Sequence, residues 1–168
     1  MRDDSHFWDP IFQDDEIYSS TDLSVKRIFP ERQTIISGIG VFEKTELPLI
    51  GWPGNATAEA YALVLRRDRI LEVNGPARQD GWDDDEQCAI SDMTDGYAMF
   101  QFKGDDALHL LKQGAFVNVD ASSRSVATGL FGIPTLLYRM ESDNCFALHV
   151  SRIHAQTLIK NIDSHMKE

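Results

Sequence analysis

Apolar and polar positions alternate most clearly over residues 97–103. Ala98, Phe100 and Phe102 share one side of this segment. A period of two predicts a β-strand, and these three side chains define the face that we expect to be buried. The strand belongs to a longer stretch, 90–119, whose pattern predicts a strand, a glycine turn, a short helix and a returning strand.

The spacing of apolar residues changes to that of a helix directly after this strand. Asp105 stands where a side-chain N-cap would accept backbone N–H groups. Ala107, Leu110 and Leu111 follow at i, i+3 and i+4 and predict one apolar helix face. Gly114 is predicted to end this helix in the left-handed conformation.

The C-terminal part predicts three more strands and a second helix. The strands cover 126–131, 133–140 and 145–150, and the first two meet at Gly132. Ser151 is the predicted cap of a helix that runs to about residue 164. Its apolar stripe consists of Ala155, Leu158, Ile159 and Ile162.

The first half of the chain predicts strands separated by loops that are rich in glycine, proline or charge. The strands are 23–29, 34–42, 61–65 and 70–73, and the loops are 47–58 and 76–87. Together with the second half, this order predicts an α+β fold in which antiparallel sheets carry helices on one face.

Residues 1–22 differ from the rest because acids and scattered aromatics replace any periodic pattern. We expect an acidic N-terminal tail. The alternative is an arm that binds a partner through Phe7, Trp8 and Phe12, since large aromatic side chains are common interface anchors. Residues 23–168 form the predicted domain.

Charge and hydropathy exclude two classes of partner. The formal net charge of −11 argues against nucleic acid, because phosphate binding needs clustered lysine and arginine. No apolar run approaches the roughly 20 residues that span a bilayer, so no membrane partner is expected. The N-terminus lacks the features of a signal peptide. We therefore expect a cytoplasmic protein.

The residues that could carry chemistry are few. Cys145 begins an apolar strand and is predicted to be a buried free thiol. Cys88 follows an acidic run that would raise its pKa rather than activate it. His149 and His154 are five residues apart, at a strand end and a helix start, and we interpret both as structural or surface residues rather than a metal pair. The sequence predicts no catalytic residue and no metal ligand.

Five segments of the second half match a known pattern. They are 92–98 (Asp-Met-Thr-Asp-Gly-Tyr-Ala), 104–107, 111–114, 133–139 and 143–152. Together they resemble the gamma subunit of heterotetrameric sarcosine oxidase. That family is related to the folate-binding T protein of the glycine cleavage system, in the aminomethyltransferase superfamily.

The resemblance covers about residues 90–165 and implies a T-protein-like fold. It also implies a non-catalytic accessory subunit, without activity alone, of a sarcosine-oxidase-like flavoenzyme complex. Such a complex acts on sarcosine or N-methyl amino acids in one-carbon metabolism. FAD, FMN, NAD and tetrahydrofolate are then expected in the larger, flavin-bearing partner subunits, and no cofactor in this chain.

Two other interpretations stay open. The first is a stand-alone folate-binding or aminomethyltransferase-like protein. T-protein-like enzymes use one carboxylate to hold the pterin and an aspartate near the reacting nitrogen. Asp92 and Asp95 are the acids beside the matching segment, so they are the folate-site candidates. Asp95 before Gly96 is also a typical turn residue. The second is an unrelated α+β protein.

Overall fold

The computed structural model describes residues 16–115, 121–142 and 144–166, which fold into two β-sheets and two α-helices. The strands of the first half are β1 Glu16–Ser19, β2 Ser24–Ile28, β3 Gln33–Ser37, β4 Leu49–Ile50, β5 Asn55–Ala56, β6 Tyr61–Arg66 and β7 Arg69–Val73. The elements of the second half are β8 Gly81–Asp83, β9 Cys88–Asp92, β10 Tyr97–Lys103, α1 Ala107–Gly114, β11 Ala127–Leu130, β12 Ile133–Met140, β13 Cys145–Ser151 and α2 Ala155–Met166.

The first sheet contains seven strands in the order β1-β2-β10-β13-β12-β11, with β5 added beside β12. Neighbouring strands are antiparallel except for the short β5–β12 pair. The second sheet has the order β4-β6-β7-β3-β9-β8 and is antiparallel apart from β4 and β6. The predicted mostly antiparallel architecture is confirmed.

Side chains alternate between the two faces of the first sheet and so belong to two different cores. Phe100 and Phe102 of β10, with Phe146 and Leu148 of β13, belong to the core that the first sheet shares with α1 and α2. Met99 of β10 faces the other way, into a second core between the two sheets. Because both faces of the first sheet are covered, Met99 is buried although the pattern predicts it on the exposed side.

The outer face of the second sheet carries a third, smaller core. Ile36, Ala62 and Ile70 lie there with Val41, which stands in the 3-10 turn Val41–Glu43. This turn follows Gly40, whose φ of 68° is left-handed. The predicted strand 34–42 is therefore shorter than expected, because the chain leaves the sheet after Ser37.

Three predictions about the ends of the helices are wrong. Asp105 does not cap α1: Asp106 precedes the helix without a side-chain cap, and the Asp105 carboxylate accepts a 2.7 Å hydrogen bond from Asn144. Gly114 is the last residue of α1 rather than a left-handed stop. Ser151 makes no side-chain cap, because the 3-10 turn Arg152–His154 separates it from α2.

Strands also occur where the sequence predicts loops or a tail. The loops 47–58 and 76–87 contain β4, β5 and β8, which are only two or three residues long. Within the predicted tail 1–22, β1 pairs with β2 along the edge of the first sheet. Its Ile17 and Tyr18 pack against the helix-side core, which explains the order of this part.

Candidate functional site

Two clefts open on either side of the connection between β2 and β3, at Phe29 and Pro30. We call the first, of about 190 Å³, the arginine cleft; its walls include Arg27, Phe29, Gln33, Asp95, Tyr97 and Arg152. The second, of about 390 Å³, we call the methionine groove; its walls include Phe29, Glu59, Tyr61, Met99, Met140 and Glu141. Phe29 lines both clefts and is 67% exposed.

A chain of buried polar side chains runs between the sheets from one cleft to the other. The hydroxyls of Tyr61 and Tyr138 lie 2.6 Å apart. The Tyr138 hydroxyl is 2.9 Å from Nε2 of His149, and Nδ1 of His149 is 2.7 Å from Oε1 of Gln33. All four residues are almost completely buried. We call them the polar chain; Gln33 lines the arginine cleft and Tyr61 the methionine groove.

The amide of Gln33 sets the direction of these hydrogen bonds. Its Nε2 group donates to the carbonyl oxygens of Thr94 and Tyr97 at 3.3 and 3.2 Å. Oε1 therefore accepts, and Nδ1 of His149 must carry a hydrogen. Nε2 of a neutral His149 then accepts from the Tyr138 hydroxyl.

Burial keeps the polar chain uncharged at neutral pH. Desolvation lowers the pKa of His149 to about 3. It raises the pKa of Tyr61 to about 12, against a smaller opposing effect of the hydrogen bond to Tyr138. Burial also raises the pKa of Tyr138 well above its usual value. None of these three pKa values lies near neutral pH. The polar chain is therefore suited to joining the sheets rather than to exchanging protons.

The arginine cleft is the charged counterpart of this neutral core. The Arg27 guanidinium lies 5.1 Å from the centre of the Phe29 ring and 5.5 Å from that of Phe100. Burial and then the positive charge of Arg152 lower the pKa of Arg27. Arg152 forms a 3.3 Å ion pair with the exposed carboxylate of Asp95.

The folate-site candidates occupy different surroundings. Asp95 lines the arginine cleft, whereas Asp92 does not. The carboxylate of Asp92 accepts a 2.9 Å hydrogen bond from the backbone N–H of Thr94, and bonds with Thr94 lower the pKa of Asp92. Asp92 therefore serves the turn between β9 and β10. Their role in folate binding stays a prediction.

The cysteine and histidine candidates differ in their burial. Cys145 is a buried free thiol, as predicted. Cys88 is also buried, and burial raises the pKa of its thiol. The positive charge of Lys44 opposes this effect, and the acids Asp83 and Glu86 add to it. His154 is exposed and His149 structural. Phe7, Trp8 and Phe12 lie outside the described residues.

Neither a cluster of metal ligands nor a membrane-spanning helix occurs among the described residues. Within 16–115, 121–142 and 144–166, no group of three His, Cys, Asp or Glu side chains is arranged to hold a metal ion. The helices of the same residues include none with the length and apolar character needed to cross a bilayer.

The sequence did not predict the polar chain, nor that Arg27 and Arg152 line the same cleft. His149 carried a usable signal, since it stands between Leu148 and Val150 at an inward position of an apolar strand. Gln33 and Arg27 carried none, because their partners come from distant parts of the chain.

Comparison with known proteins places the fold. No protein-family model matches this sequence, and no curated protein is a significant match. A solved structure does match: a chain of the heterotetrameric sarcosine oxidase from Corynebacterium sp. U-96, in complex with pyrrole 2-carboxylate. The TM-score is 0.68 at 14% sequence identity, over 90% of this chain and 87% of that one. The chain thus has the fold of a subunit of heterotetrameric sarcosine oxidase, as the resemblance in sequence predicted.

Proposed function

We propose that this chain is the gamma-type, non-catalytic subunit of a sarcosine-oxidase-like flavoenzyme complex. The observation that carries the proposal is the fold likeness, which extends over nine-tenths of the chain and most of the matched subunit. The finer assignments, a T-protein-like fold and the gamma position, rest on the sequence segments of residues 90–165.

The state of the polar side chains supports an accessory role. His149 and Tyr138, the residues best suited to proton transfer, are held neutral in the core and joined to each other. Both cysteines are buried, and burial raises the pKa of each thiol, which disfavours the nucleophilic thiolate. These groups stabilise the fold instead of facing a substrate.

In this proposal, the larger subunits carry FAD, FMN, NAD and tetrahydrofolate, and this chain contributes to their assembly. The complex would oxidise sarcosine or a related N-methyl amino acid and deliver the one-carbon unit to tetrahydrofolate. We place it in the cytoplasm, in line with the sequence. Phe7, Trp8 and Phe12 are the proposed anchors to the partner.

Co-expression of the chain with the candidate flavin-bearing subunits tests this function. We expect a stable complex that contains this chain, shows a flavin spectrum and oxidises sarcosine. The chain purified alone should be colourless and inactive. Flavin or oxidase activity in the isolated chain, or no co-purification with flavin-bearing partners, would contradict the proposal.

The alternative, a stand-alone folate-binding protein, has one observation in its favour, since Asp95 and two arginines line the same cleft. The cleft volume of about 190 Å³ is below the roughly 300–1,000 Å³ typical of ligand pockets. Calorimetric titration with tetrahydrofolate decides between the two. Micromolar binding that Asp95→Asn abolishes would favour the alternative.

A further inference from the structure

The methionine groove combines apolar walls with hydrogen-bond acceptors. Its volume of about 390 Å³ falls within the roughly 300–1,000 Å³ that is typical of ligand pockets. The described residues of its lining include two acids, Glu59 and Glu141, but no lysine, arginine or histidine. A ligand that carries positive charge therefore suits the groove better than a neutral or an anionic one.

The two glutamates lack a cationic partner in the described part of the chain. Both are exposed, and neither side chain forms a hydrogen bond or an ion pair there. Their backbones are held in place, because Nδ2 of Asn74 donates to the carbonyl oxygen of Glu59 at 3.2 Å and the N–H of Glu141 donates to that of Ala56 at 3.5 Å. Two carboxylates at fixed backbone positions can thus balance the charge of one bound cation.

Tyr61 contributes a buried acceptor to the same groove. It lines the groove, is 3% exposed and ends the polar chain. Because the Tyr138 hydroxyl donates to His149, the Tyr61 hydroxyl donates to Tyr138. The lone pairs of the Tyr61 oxygen then receive no hydrogen bond from any residue that the structure describes. A buried oxygen in this state favours a ligand that brings an N–H donor.

The apolar walls indicate what else the ligand carries. Met99 and Met140 offer flexible, polarisable thioether chains, which adapt to alkyl groups. Phe29 adds an aromatic ring, but the Arg27 guanidinium already lies 5.1 Å from its centre. Recognition of the charge therefore belongs to the glutamates and Tyr61, and the methionines contact the alkyl part.

We propose that the methionine groove is a binding site for a small protonated alkylamine. The ammonium N–H donates to the Tyr61 hydroxyl oxygen, Glu59 and Glu141 balance the charge, and the alkyl chain packs on Met99 and Met140. An N-methyl amino acid, the substrate class of the proposed complex, fits poorly, because its carboxylate would face the two glutamates. This inference goes beyond the proposed function and does not depend on it, because it concerns a site within this chain alone.

Titration of the full-length chain with butylammonium tests the site. The methionine methyl groups carry ¹³C, and the ionic strength is held constant so that screening does not change. We expect saturable shifts of the Met99 and Met140 methyl signals, with Met93, which lies outside the groove lining, as the unshifted reference. Butyrate, which has a similar alkyl chain and the opposite charge, and sarcosine should give no saturable shift at the same concentrations.

The variant Tyr61→Phe separates the hydrogen bond from the charge. It should weaken the binding of butylammonium about tenfold, the usual effect of losing a hydrogen bond to a charged group. It should leave the weaker binding of tetramethylammonium unchanged, since that cation has no N–H donor. The double variant Glu59→Gln/Glu141→Gln should weaken both cations several-fold. Glu46→Gln is the matched control, because Glu46 is an exposed glutamate outside the groove lining, and it should change neither affinity.

Four outcomes would overturn the proposal. Shifts that rise without saturation, or butyrate or sarcosine binding as tightly as butylammonium, would remove the site. An equal loss for both cations in Tyr61→Phe would remove the hydrogen bond. A loss in Glu46→Gln as large as that in the double variant would assign the effect to the general negative charge of the protein. Butylammonium shifts that map to Met93 instead of Met99 and Met140 would place the cation elsewhere.

Discussion

His149 and Gln33 form a 2.7 Å hydrogen bond that joins the two sheets through their side chains. His149 belongs to β13 of the first sheet and Gln33 to β3 of the second. Because Gln33 also binds two carbonyl oxygens near β10, the bond fixes the position of one sheet against the other. A buried polar group needs such partners to offset its desolvation.

We predict that the polar chain makes stability depend on pH through His149. Its pKa is about 3 when folded, against the ordinary 6.5. Between these values the unfolded state binds a proton that the folded state does not, so stability falls as the pH is lowered. The slope is up to about 1.4 kcal/mol per pH unit, or about 2 kcal/mol between pH 6.5 and 5. Urea unfolding at a series of pH values measures it.

The variant His149→Gln isolates this contribution. Glutamine keeps a donor and an acceptor but does not titrate. We expect the variant to be less stable than wild type at neutral pH and to lose much less stability between about pH 6.5 and pH 5. The same loss in both proteins over this range would show that His149 is not the group responsible.

The two tyrosines of the polar chain should differ in their contributions. Tyr138→Phe leaves His149 without its donor and Tyr61 without its acceptor, so we expect a loss of about 1–3 kcal/mol. Tyr61→Phe removes the terminal hydroxyl and leaves the Tyr138–His149 bond in place, so about 1 kcal/mol or less is expected. Chemical denaturation of both variants compares them. A larger loss for Tyr61→Phe would reverse the inferred direction of the chain.

The polar chain also shows where sequence reasoning ends. Periodicity in β13 indicates which residues face inward, and the positions of β6, β7 and β10 to β13 follow from local patterns. The partner of His149 is 116 residues away, and no local pattern encodes it. The arginine cleft was missed for the same reason, since it combines residues from β2, the turn before β10 and the turn before α2.

Helix ends were predicted less well because tertiary contacts override local caps. Asp105 has the right residue type for an N-cap, but its carboxylate binds Asn144 of a neighbouring turn instead. Gly114 suggested a left-handed helix stop, but it is the last helical residue, and its lack of a Cβ allows the Phe131 ring to pack closely against it. At both positions the residue type indicated a special role, but the sequence did not specify which contact the residue makes.

We predict that Gly114→Ala destabilises the protein despite the helix preference of alanine. Alanine is favoured over glycine by about 1 kcal/mol inside helices. At Gly114, however, an added Cβ would lie 2.6 Å from three atoms of the Phe131 ring. We expect a net loss of about 1–3 kcal/mol, measured by thermal or urea unfolding. In a Phe131→Ala background, the same change should be neutral or stabilising; an unchanged loss there would exclude the ring as the cause.

The arm prediction concerns association rather than stability. Trp8→Ala or Phe7→Ala should weaken binding to the proposed flavin-bearing partner, because buried aromatic anchors often contribute about 2 kcal/mol or more. The unfolding free energy of the free subunit should change less. A quantitative pull-down and urea unfolding give the two values, and unchanged binding would remove the arm hypothesis. Trp82→Ala is a suitable control, since Trp82 is an exposed tryptophan of the domain itself.

Glu72 of β7, in the second sheet, forms an ion pair with Arg78. Both carboxylate oxygens of Glu72 accept from Arg78, at 3.0 and 2.9 Å, and Glu72 is completely buried. Arg78→Gln should therefore cost about 3–5 kcal/mol, because it leaves a buried carboxylate without its charge partner. The loss of stability for Arg78→Lys should be smaller than that for Arg78→Gln but not zero, since lysine keeps the charge but not the paired geometry. Adding Glu72→Gln to Arg78→Gln should recover stability in urea unfolding; if the double variant is as unstable as the sum of the two single changes, the charge is not what the arginine neutralises.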